Sequence, residues 1–311
     1  MTPPSAPSPT AAARYDVVVV GGSFAGLAAA MQLARARRRV LVVDAGHPRN
    51  RFAHASHGFL GQDGRAPSEI LDTARAEVLA YPTVAFLRGE ATLARAEQDG
   101  FAIALASGAT LHARRLVLAA GIVDDLPDVP GLAERWGATV LHCPYCHGFE
   151  VADARLGVLA VGEASLHVAM LLPDWSRDVT LFTNGAFAPD AAQREALAAR
   201  GVRIESRAVE ALVGAAPALA GVRLAGGETV PLDALFTSPR NHMASPLAGQ
   251  LGCAFDDGPL GPVVRTDARK ATTVPGVFAA GDAARPQHNA TFAAADGAMA
   301  GISAHQSMVF G

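Results

Sequence analysis

The chain of 311 residues is long enough for two domains and a sizeable buried core. Half of its residues are apolar and its formal net charge is -3, which argues against a nucleic-acid partner and favours small ligands. Its apolar runs are shorter than the roughly 18 residues of a membrane span, and three cysteines are too few for a secreted disulfide scaffold, so we expect a cytoplasmic protein without membrane contact.

The first thirteen residues consist mainly of Pro, Ser, Ala and Thr. They lack the basic start and the apolar stretch of a signal peptide, so we expect residues 1–13 to form a disordered tail.

A dinucleotide-binding pattern follows this tail. The sequence predicts a strand at Val17 to Val20, a glycine turn, a helix to about Arg38, and a second strand from Val40 that ends on Asp44. Backbone amides at the turn can approach a pyrophosphate, and Asp44 can accept a hydrogen bond from a ribose hydroxyl. Ser23 stands where the second glycine of the pattern usually lies. The candidate cofactor-binding residues here are Gly21, Gly22, Ser23, Ala25, Gly26 and Asp44.

An irregular stretch rich in His and Arg runs from Gly46 to Gly64. Its histidine spacing matches no common metal site, so we interpret it as a loop lining a cofactor, with Asn50 and His57 as candidates. The sequence then predicts a helix at 67–79, a hairpin of 101–105 with 111–115, and a buried strand at 116–121. That strand ends on the small residues Ala120 and Gly121, which can lie beside a ligand.

Two cysteines separated by two residues lie in Leu141 to Glu150, with His142 and His147 on their outer sides. Cys143 and Cys146 can close into a small-loop disulfide, and a neighbouring imidazole can carry the proton that thiol–disulfide exchange moves. A zinc site is the alternative, but the remaining cysteine, Cys253, stands alone in a core-like context. We therefore expect a redox pair and no metal.

A second, weaker nucleotide-binding pattern follows the cysteines. Strands are predicted at 157–161 and 179–182, with a helix at 166–172 between them, which suggests a second doubly wound domain inserted into the first. Only Gly162 of the glycine set is present, and Thr183 to Gly185 contain no charged ribose reader. Binding of NADPH and a retained fold with a lapsed site both stay open.

The last part of the chain returns to strands and glycines. A strand at 263–265 precedes Thr273 to Asp282, which delivers Gly281 and Asp282 to a ligand. A helix is predicted to begin near Asn289, where free amides could polarise an anion or a ring carbonyl.

Four ordered motifs together resemble the low-molecular-weight thioredoxin reductase family: the turn at Gly21, the Ala120-Gly121 strand end, the Cys-x-x-Cys, and the segment from Pro275 to Asp282. The resemblance implies an α/β fold of two doubly wound, Rossmann-like nucleotide-binding domains, the second inserted into the first. Residues 14–126 and 249–311 would form the FAD domain, and residues 127–248 would form the NAD(P)-binding-like domain that carries the cysteines. It also implies a homodimer.

Three departures from the family pattern make the chain more similar to the dithiol oxidases that close disulfides in gliotoxin-, holomycin- and romidepsin-type metabolites. His147 replaces the usual aspartate, the arginine cluster for the NADPH phosphate is missing, and His288-Asn289-Ala290 replaces an Arg-Gln-Ala near the flavin. In those oxidases the histidine acts as acid and base, and molecular oxygen reoxidises the flavin. The resemblance then implies that Cys146 lies nearest the flavin and that Cys143 meets the substrate. Whether His142 shares the role of His147 stays open.

The motifs and the resemblance leave three hypotheses for the function. The leading hypothesis is FAD-dependent oxidation of a small-molecule dithiol to a disulfide with O2 as acceptor. The first alternative is a reductase that serves a thioredoxin-like protein and takes electrons from NADPH or another donor. The second is a flavin-binding redox sensor without turnover.

Overall fold

The computed structural model describes residues 14–311, so the tail predicted at 1–13 lies outside the described residues. The chain divides into two compact units. The first unit contains residues up to Arg51, Ser68–Val123 and Asn241–Gly311, and the second contains Phe52–Pro67 and Asp124–Arg240. The second unit is therefore inserted into the first, and the loop at 52–67 groups with the inserted unit.

Strands and helices are numbered along the chain. The strands are β1 Arg14–Val20, β2 Val40–Asp44, β3 Val84–Arg88, β4 Ala91–Glu97, β5 Gly100–Leu105, β6 Thr110–Leu118, β7 Ile122–Asp125, β8 Val140–Leu141, β9 Leu156–Leu159, β10 Val179–Phe182, β11 Arg203–Glu205, β12 Val209–Val213, β13 Gly221–Leu224, β14 Thr229–Pro231, β15 Ala234–Thr237, β16 Arg240–Met243, β17 Phe255–Asp257, β18 Pro262–Val264 and β19 Val277–Ala279. The helices are α1 Phe24–Arg35, α2 Pro67–Leu79, α3 Pro144–His147, α4 Ser165–Leu171, α5 Ala191–Ala199, α6 Leu247–Gln250 and α7 Ala290–Phe310.

The first unit is built on a seven-stranded sheet in the order β3-β2-β1-β6-β5-β4, with β19 also paired to β6. Strands β3, β2, β1, β6 and β19 are parallel, while β4, β5 and β6 form an antiparallel meander. Val17 and Val19 pack with α1 and α7 on one face, and Val18 and Val20 pack into the core on the other. Alternate side chains of a strand point to opposite faces, so a continuous valine run gives a strand buried on both sides.

The second unit is built on a five-stranded parallel sheet in the order β11-β10-β9-β15-β8. The four residues of β9 and the four residues of β10 are all buried. Strand β8 forms an edge of this sheet, and α3 follows it directly. This order places the cysteine stretch at the carboxyl end of an edge strand.

Several elements differ from the sequence-based expectation. The predicted hairpin arm at 111–115 continues into the predicted strand at 116–121 as one strand, β6, because residues 112–118 pair in register with β1; β6 ends at Leu118, three residues earlier than predicted. The small antiparallel sheet β12-β13-β14 was not predicted. The helix at Pro67–Leu79 and the strand at Val179–Phe182 have the predicted bounds.

Two short strands, β7 and β16, pair with each other, and each contains a position where the chain passes from one unit to the other.

Among residues 14–311, none of the helices combines the length and apolarity that crossing a bilayer takes.

Candidate active site

The candidate residues fall into two groups, one in each unit. In the second unit, Cys143 caps the start of α3 with an extended backbone (φ -118°, ψ 118°), and Pro144 occupies the first helical position. The Cys143 carbonyl accepts hydrogen bonds from the amides of Cys146 at 3.1 Å and His147 at 3.2 Å. Proline at this position is preset for the helix and has no amide that needs a partner. The turn therefore fixes Cys143, Cys146 and His147 in one local frame, with both cysteines partly buried.

An aromatic pair holds this turn against the second unit. The rings of Tyr145 and Trp175 meet edge to face, with centroids 5.5 Å apart and an interplanar angle of 86°. A Cβ on Gly148 would lie 2.9 Å from Trp175 Cδ1 and 2.5 Å from the Pro144 carbonyl oxygen, so only glycine fits there. Tyr145 itself stays 71% exposed, which leaves its outer face available beside the cysteines.

The charges around His147 come from two other residues of the second unit. Burial lowers the pKa of His147 below its ordinary value of 6.5, His57 lowers it further, and Glu150 opposes the shift. The imidazole is therefore mainly neutral near neutral pH and can accept a proton from a thiol. His57 Nδ1 lies 3.4 Å from Glu150 Oε1 and 3.7 Å from Asp63 Oδ1. Sequence analysis assigned His57 to the cofactor; the structure places it beside Glu150, and its role toward the cofactor stays a prediction.

The other flanking histidine has a different environment. His142 Nδ1 lies 3.4 Å from the carbonyl oxygen of Thr237 at the end of β15. A carbonyl only accepts, so this contact favours the tautomer with the proton on Nδ1. Because His142 is tied to the sheet in this way, the geometry favours His147 as the mobile proton carrier.

In the first unit, the glycine turn joins β1 to α1 with very little space. Gly21 has a φ of +109°, and a side chain there would collide with the Ala119 carbonyl. A Cβ on Gly22 would lie 2.7 Å from the Cβ of Asp44, and one on Gly26 would collide with the Gly21 carbonyl. These glycines therefore allow the helix to begin directly behind the strand.

The start of α1 is suited to an anion. Ser23 has an extended backbone, and its side chain caps none of the first-turn amides of α1 in the described chain. The first turn is made of the uncharged residues Phe24, Ala25 and Gly26. A pyrophosphate at this end would face the positive end of the helix without a nearby carboxylate on that turn.

Asp44 is held by two neighbours at the end of β2. Its Oδ1 accepts from the Gly22 amide at 3.2 Å, and its Oδ2 accepts from Arg88 Nη1 at 3.0 Å. Each oxygen retains a further lone pair for a ribose hydroxyl. Sequence reasoning missed Arg88, although the parallel pairing of β2 with β3 places it directly beside Asp44.

The later motifs return to the same sheet edge. Strand β6 ends before Ala120 and Gly121, and a Cβ on Gly121 would meet no atom of the described chain within 4 Å, so open space lies beside it. Gly281 packs against Ala25, where an added Cβ would lie 2.9 Å from the Ala25 methyl. The structure thus brings together glycines that are about 260 residues apart in the sequence.

Asp282 pairs with a residue that sequence analysis had not chosen. Arg49 Nη1 donates to Asp282 Oδ2 at 3.1 Å, and both side chains are largely shielded from solvent. Arg49 belongs to the irregular stretch next to Asn50, and the contact fixes the start of that stretch against the segment of Gly281 and Asp282. Basic residues in a cofactor-lining loop were the available signal.

Two of the first-turn amides of α7 are hydrogen-bonded, whereas the sequence analysis expected free amides there. Asn289 is the N-cap, and its Oδ1 accepts from the amides of Thr291 at 2.8 Å and Phe292 at 3.4 Å. Asn289 thus serves the helix itself. The roles of His288, Asn289 and Ala290 toward a flavin stay predictions.

These residues of the first unit fit a bound FAD. The side-chain-free turn at Gly21 and Gly22, the uncharged first turn of α1 and the open space at Gly121 provide the cradle that a dinucleotide requires. In residues 14–311, no group of three or more His, Cys, Asp and Glu side chains is arranged to hold a metal ion.

The nucleotide-binding edge of the second unit has a different character. Asn184, after β10, has a φ of +49°, and its Oδ1 accepts from the Val209 amide at 2.8 Å. Arg207 is bound by two carboxylates, with Nη2 2.6 Å from Glu205 and Nη1 2.7 Å from Glu228. The Asn184 amide oxygen and the Arg207 guanidinium are therefore both engaged by other groups of the second unit.

Comparison with known proteins agrees with this geometry. The family model described as pyridine nucleotide-disulphide oxidoreductase matches residues 15–300. The thioredoxin reductase tcpT of Claviceps purpurea is 33% identical over 307 residues, which cover 94% of this chain and 94% of that protein. The thioredoxin reductase sirT of Leptosphaeria maculans is 30% identical over 304 residues, 92% of each chain.

Solved structures give the same picture. An oxidoreductase from Agrobacterium tumefaciens superposes with a TM-score of 0.91 at 47% identity, covering 96% of this chain and 99% of that one. The structure of HlmI has a TM-score of 0.87 at 42% identity and covers 95% of this chain and 92% of its own. Since the family model spans nearly the whole described chain, this protein is an enzyme that belongs to the pyridine nucleotide-disulphide oxidoreductase family.

Proposed function

We propose that this enzyme oxidises a small-molecule dithiol to a disulfide through Cys143 and Cys146, with bound FAD and with O2 as the final acceptor. The observation that carries the proposal is the half-buried imidazole of His147 directly after the cysteine pair. Its lowered pKa leaves it as a neutral base at neutral pH. Free thiols have pKa values near 8.5, so a substrate dithiol needs such a base before it can attack a disulfide.

The thiol–disulfide exchange steps require only residues of the second unit. A substrate thiol loses its proton to His147, attacks Cys143 of the Cys143–Cys146 disulfide, and releases Cys146 as a thiolate. The second substrate thiol then attacks the substrate sulfur of the mixed disulfide and gives its proton to the leaving Cys143 sulfur, which yields the cyclic substrate disulfide and the reduced cysteine pair. When bound, FAD supplies the two-electron acceptor that restores the cysteine disulfide and passes the electrons to O2.

The second nucleotide-binding edge supports an oxidase over an NADPH-driven reductase. Asn184 bonds to the backbone of β12, and the charge of Arg207 is balanced by Glu205 and Glu228. A third carboxylate, Glu163, lies in the turn that would face a pyrophosphate and accepts from Gln193 at 2.6 Å. Negative charge at this turn disfavours a dinucleotide phosphate.

The test is aerobic turnover of varied small dithiols by the flavin-loaded enzyme. We expect one O2 consumed and one H2O2 released per disulfide formed, measured by an oxygen electrode and a peroxide assay. Cys143→Ser and Cys146→Ser should abolish turnover. Cys253→Ser should retain it, because Cys253 is buried in the first unit with its sulfur 3.6 Å from Thr272 Oγ1. Rapid bleaching of the flavin by NADPH under anaerobic conditions would favour the reductase instead, and an enzyme that turns over neither dithiols nor NADPH would favour the sensor.

A further inference from the structure

The loop at 52–67 brings a second histidine to the cysteine turn. This loop groups with the second unit, and His57 Nδ1 lies 3.4 Å from Glu150 Oε1. Asp63 Oδ1 lies 3.7 Å from the same ring nitrogen and accepts from the Gly58 amide at 2.8 Å. His57 is therefore close to two carboxylates of the second unit.

Glu150 is linked to both histidines. It pairs with His57, it lies three residues beyond His147, the last residue of α3, and its charge favours the protonated form of the His147 imidazole. The exposed fraction of the side chains is 22% for His57, 38% for Glu150 and 69% for Asp63. The charged groups therefore become more solvated from the interior toward Asp63, and the pair of His57 with Glu150 is shielded enough to matter electrostatically.

We propose that Glu150 and His57 are positioning residues for the thiol chemistry: the Glu150 carboxylate stabilises the protonated form of His147, while His57 holds that carboxylate and competes for its charge. The proposal rests on the proposed role of His147 as proton acceptor. Each dithiol that is oxidised releases two protons, so the base must both accept a proton and give it up again within a turnover. An anionic neighbour, Glu150, and a cationic neighbour, His57, that act on His147 in opposite directions suit that requirement.

The two neighbours act on His147 with opposite signs. The Glu150 carboxylate favours the imidazolium, so its removal lowers the pKa of His147 further. Protonated His57 disfavours the imidazolium, so its removal raises the pKa of His147. A residue that merely supports the fold would not produce shifts in opposite directions.

The experiment is a pH titration of histidine ring resonances in the oxidised, flavin-loaded enzyme, labelled with 13C-histidine. The signals of His147 and His57 are assigned from His147→Gln and His57→Gln. We expect Glu150→Gln to lower the His147 midpoint and His57→Gln to raise it. His57→Asn and Glu150→Ala serve as second variants if either protein is poorly folded.

A matched control is available in the first unit, where His112 Nδ1 lies 3.0 Å from Glu97 Oε2. Glu97→Gln removes this carboxylate and should leave the midpoint of His147 unchanged. Unchanged His147 midpoints in both test variants, or shifts in the same direction, would overturn the proposal. The titration needs no substrate, so a failure to find dithiol turnover would count against the oxidase function and not against this arrangement. Where turnover is found, the acid limb of its pH profile should move in the same directions.

Discussion

The contact between α1 and α7 gives a sharp test of how the first unit holds its cofactor turn. Gly301 of α7 packs on the backbone of Ala29 in α1: a Cβ on Gly301 would lie 2.5 Å from the Ala29 carbonyl oxygen and 3.0 Å from its Cα. A methyl group normally keeps about 3.4 Å or more from such atoms, so Gly301→Ala must push the helices apart by several tenths of an ångström.

The size of the effect follows from two opposing contributions. Alanine is better than glycine in a helix by about 0.5 to 1 kcal/mol, whereas overpacking a close-packed contact costs about 1 to 3 kcal/mol. We therefore expect a net loss of about 1 to 2 kcal/mol, which corresponds to a decrease in Tm of about 1.5 to 3 °C for a chain of 311 residues. Because α1 carries the glycine turn at its start, flavin release should begin at a lower temperature as well.

The assay is thermal unfolding of the flavin-loaded protein, followed by circular dichroism and by the rise in flavin fluorescence. Gly249→Ala is the control, since Gly249 lies in α6 and a Cβ there would meet no described atom within 4 Å. The control should be as stable as the parent or slightly more stable. If Gly301→Ala matched Gly249→Ala in both signals, the close approach of α1 and α7 would not be the feature that holds the turn.

Three further predictions concern the base, the cofactor and the assembly. His147→Asn should lower dithiol turnover by about 100-fold or more, and because the His147 pKa is lowered, the acid limb of the parent pH–rate profile should lie below pH 6.5. Asp44→Ala should weaken flavin retention on dilution by about tenfold or more, because the Gly22 amide and Arg88 lose their acceptor. The apolar outer face of α7, formed by Phe292, Met299, Ile302 and Val309, is a candidate contact for the homodimer that the family resemblance implies. Ile302→Glu places a charge on this face and should therefore lower the sedimentation coefficient in analytical ultracentrifugation.

The controls for these predictions use similar groups elsewhere. Asp256→Ala removes a carboxylate from the exposed pair with Arg265 and should leave flavin retention unchanged. Leu93→Glu places a charge on an exposed apolar residue of β4 and should leave the sedimentation of the parent unchanged. Full turnover by His147→Asn, or loss of flavin from Asp256→Ala equal to that from Asp44→Ala, would contradict the assigned roles.

Much of the local fold could be predicted from the sequence because short sequence patterns determine it. The valine run of β1, the glycine turn and the acidic end of β2 are set by short-range sterics and by strand alternation, and the helix at 67–79 by its own pattern. The small sheet β12-β13-β14 lacks such a signal. Its strands are short, contain exposed residues and are separated by segments with glycines, so no clear strand pattern appears in the sequence. Strand β6 was divided in the prediction because its polar first half and apolar second half look like separate elements.

The parts of the site that sequence reasoning missed depend on distant pairs. Arg49 and Asp282 are 233 residues apart, and Arg88 and Asp44 are 44 residues apart. His57 and Glu150 lie on separate segments of the second unit that only the folded chain brings together. Residue types and spacing predicted which segments line a cofactor, and that assignment stays a prediction, whereas ion-pair partners follow from tertiary packing.

The most direct measurement is an anaerobic rapid-mixing experiment that follows the flavin absorbance of the loaded enzyme. A small dithiol should bleach the flavin in the parent and in Cys253→Ser, and should fail to do so in Cys143→Ser and Cys146→Ser. NADPH should leave the band unchanged, and admission of O2 to the dithiol-reduced enzyme should restore it with release of H2O2. Bleaching by NADPH together with inertness toward dithiols would contradict the proposed direction of electron flow.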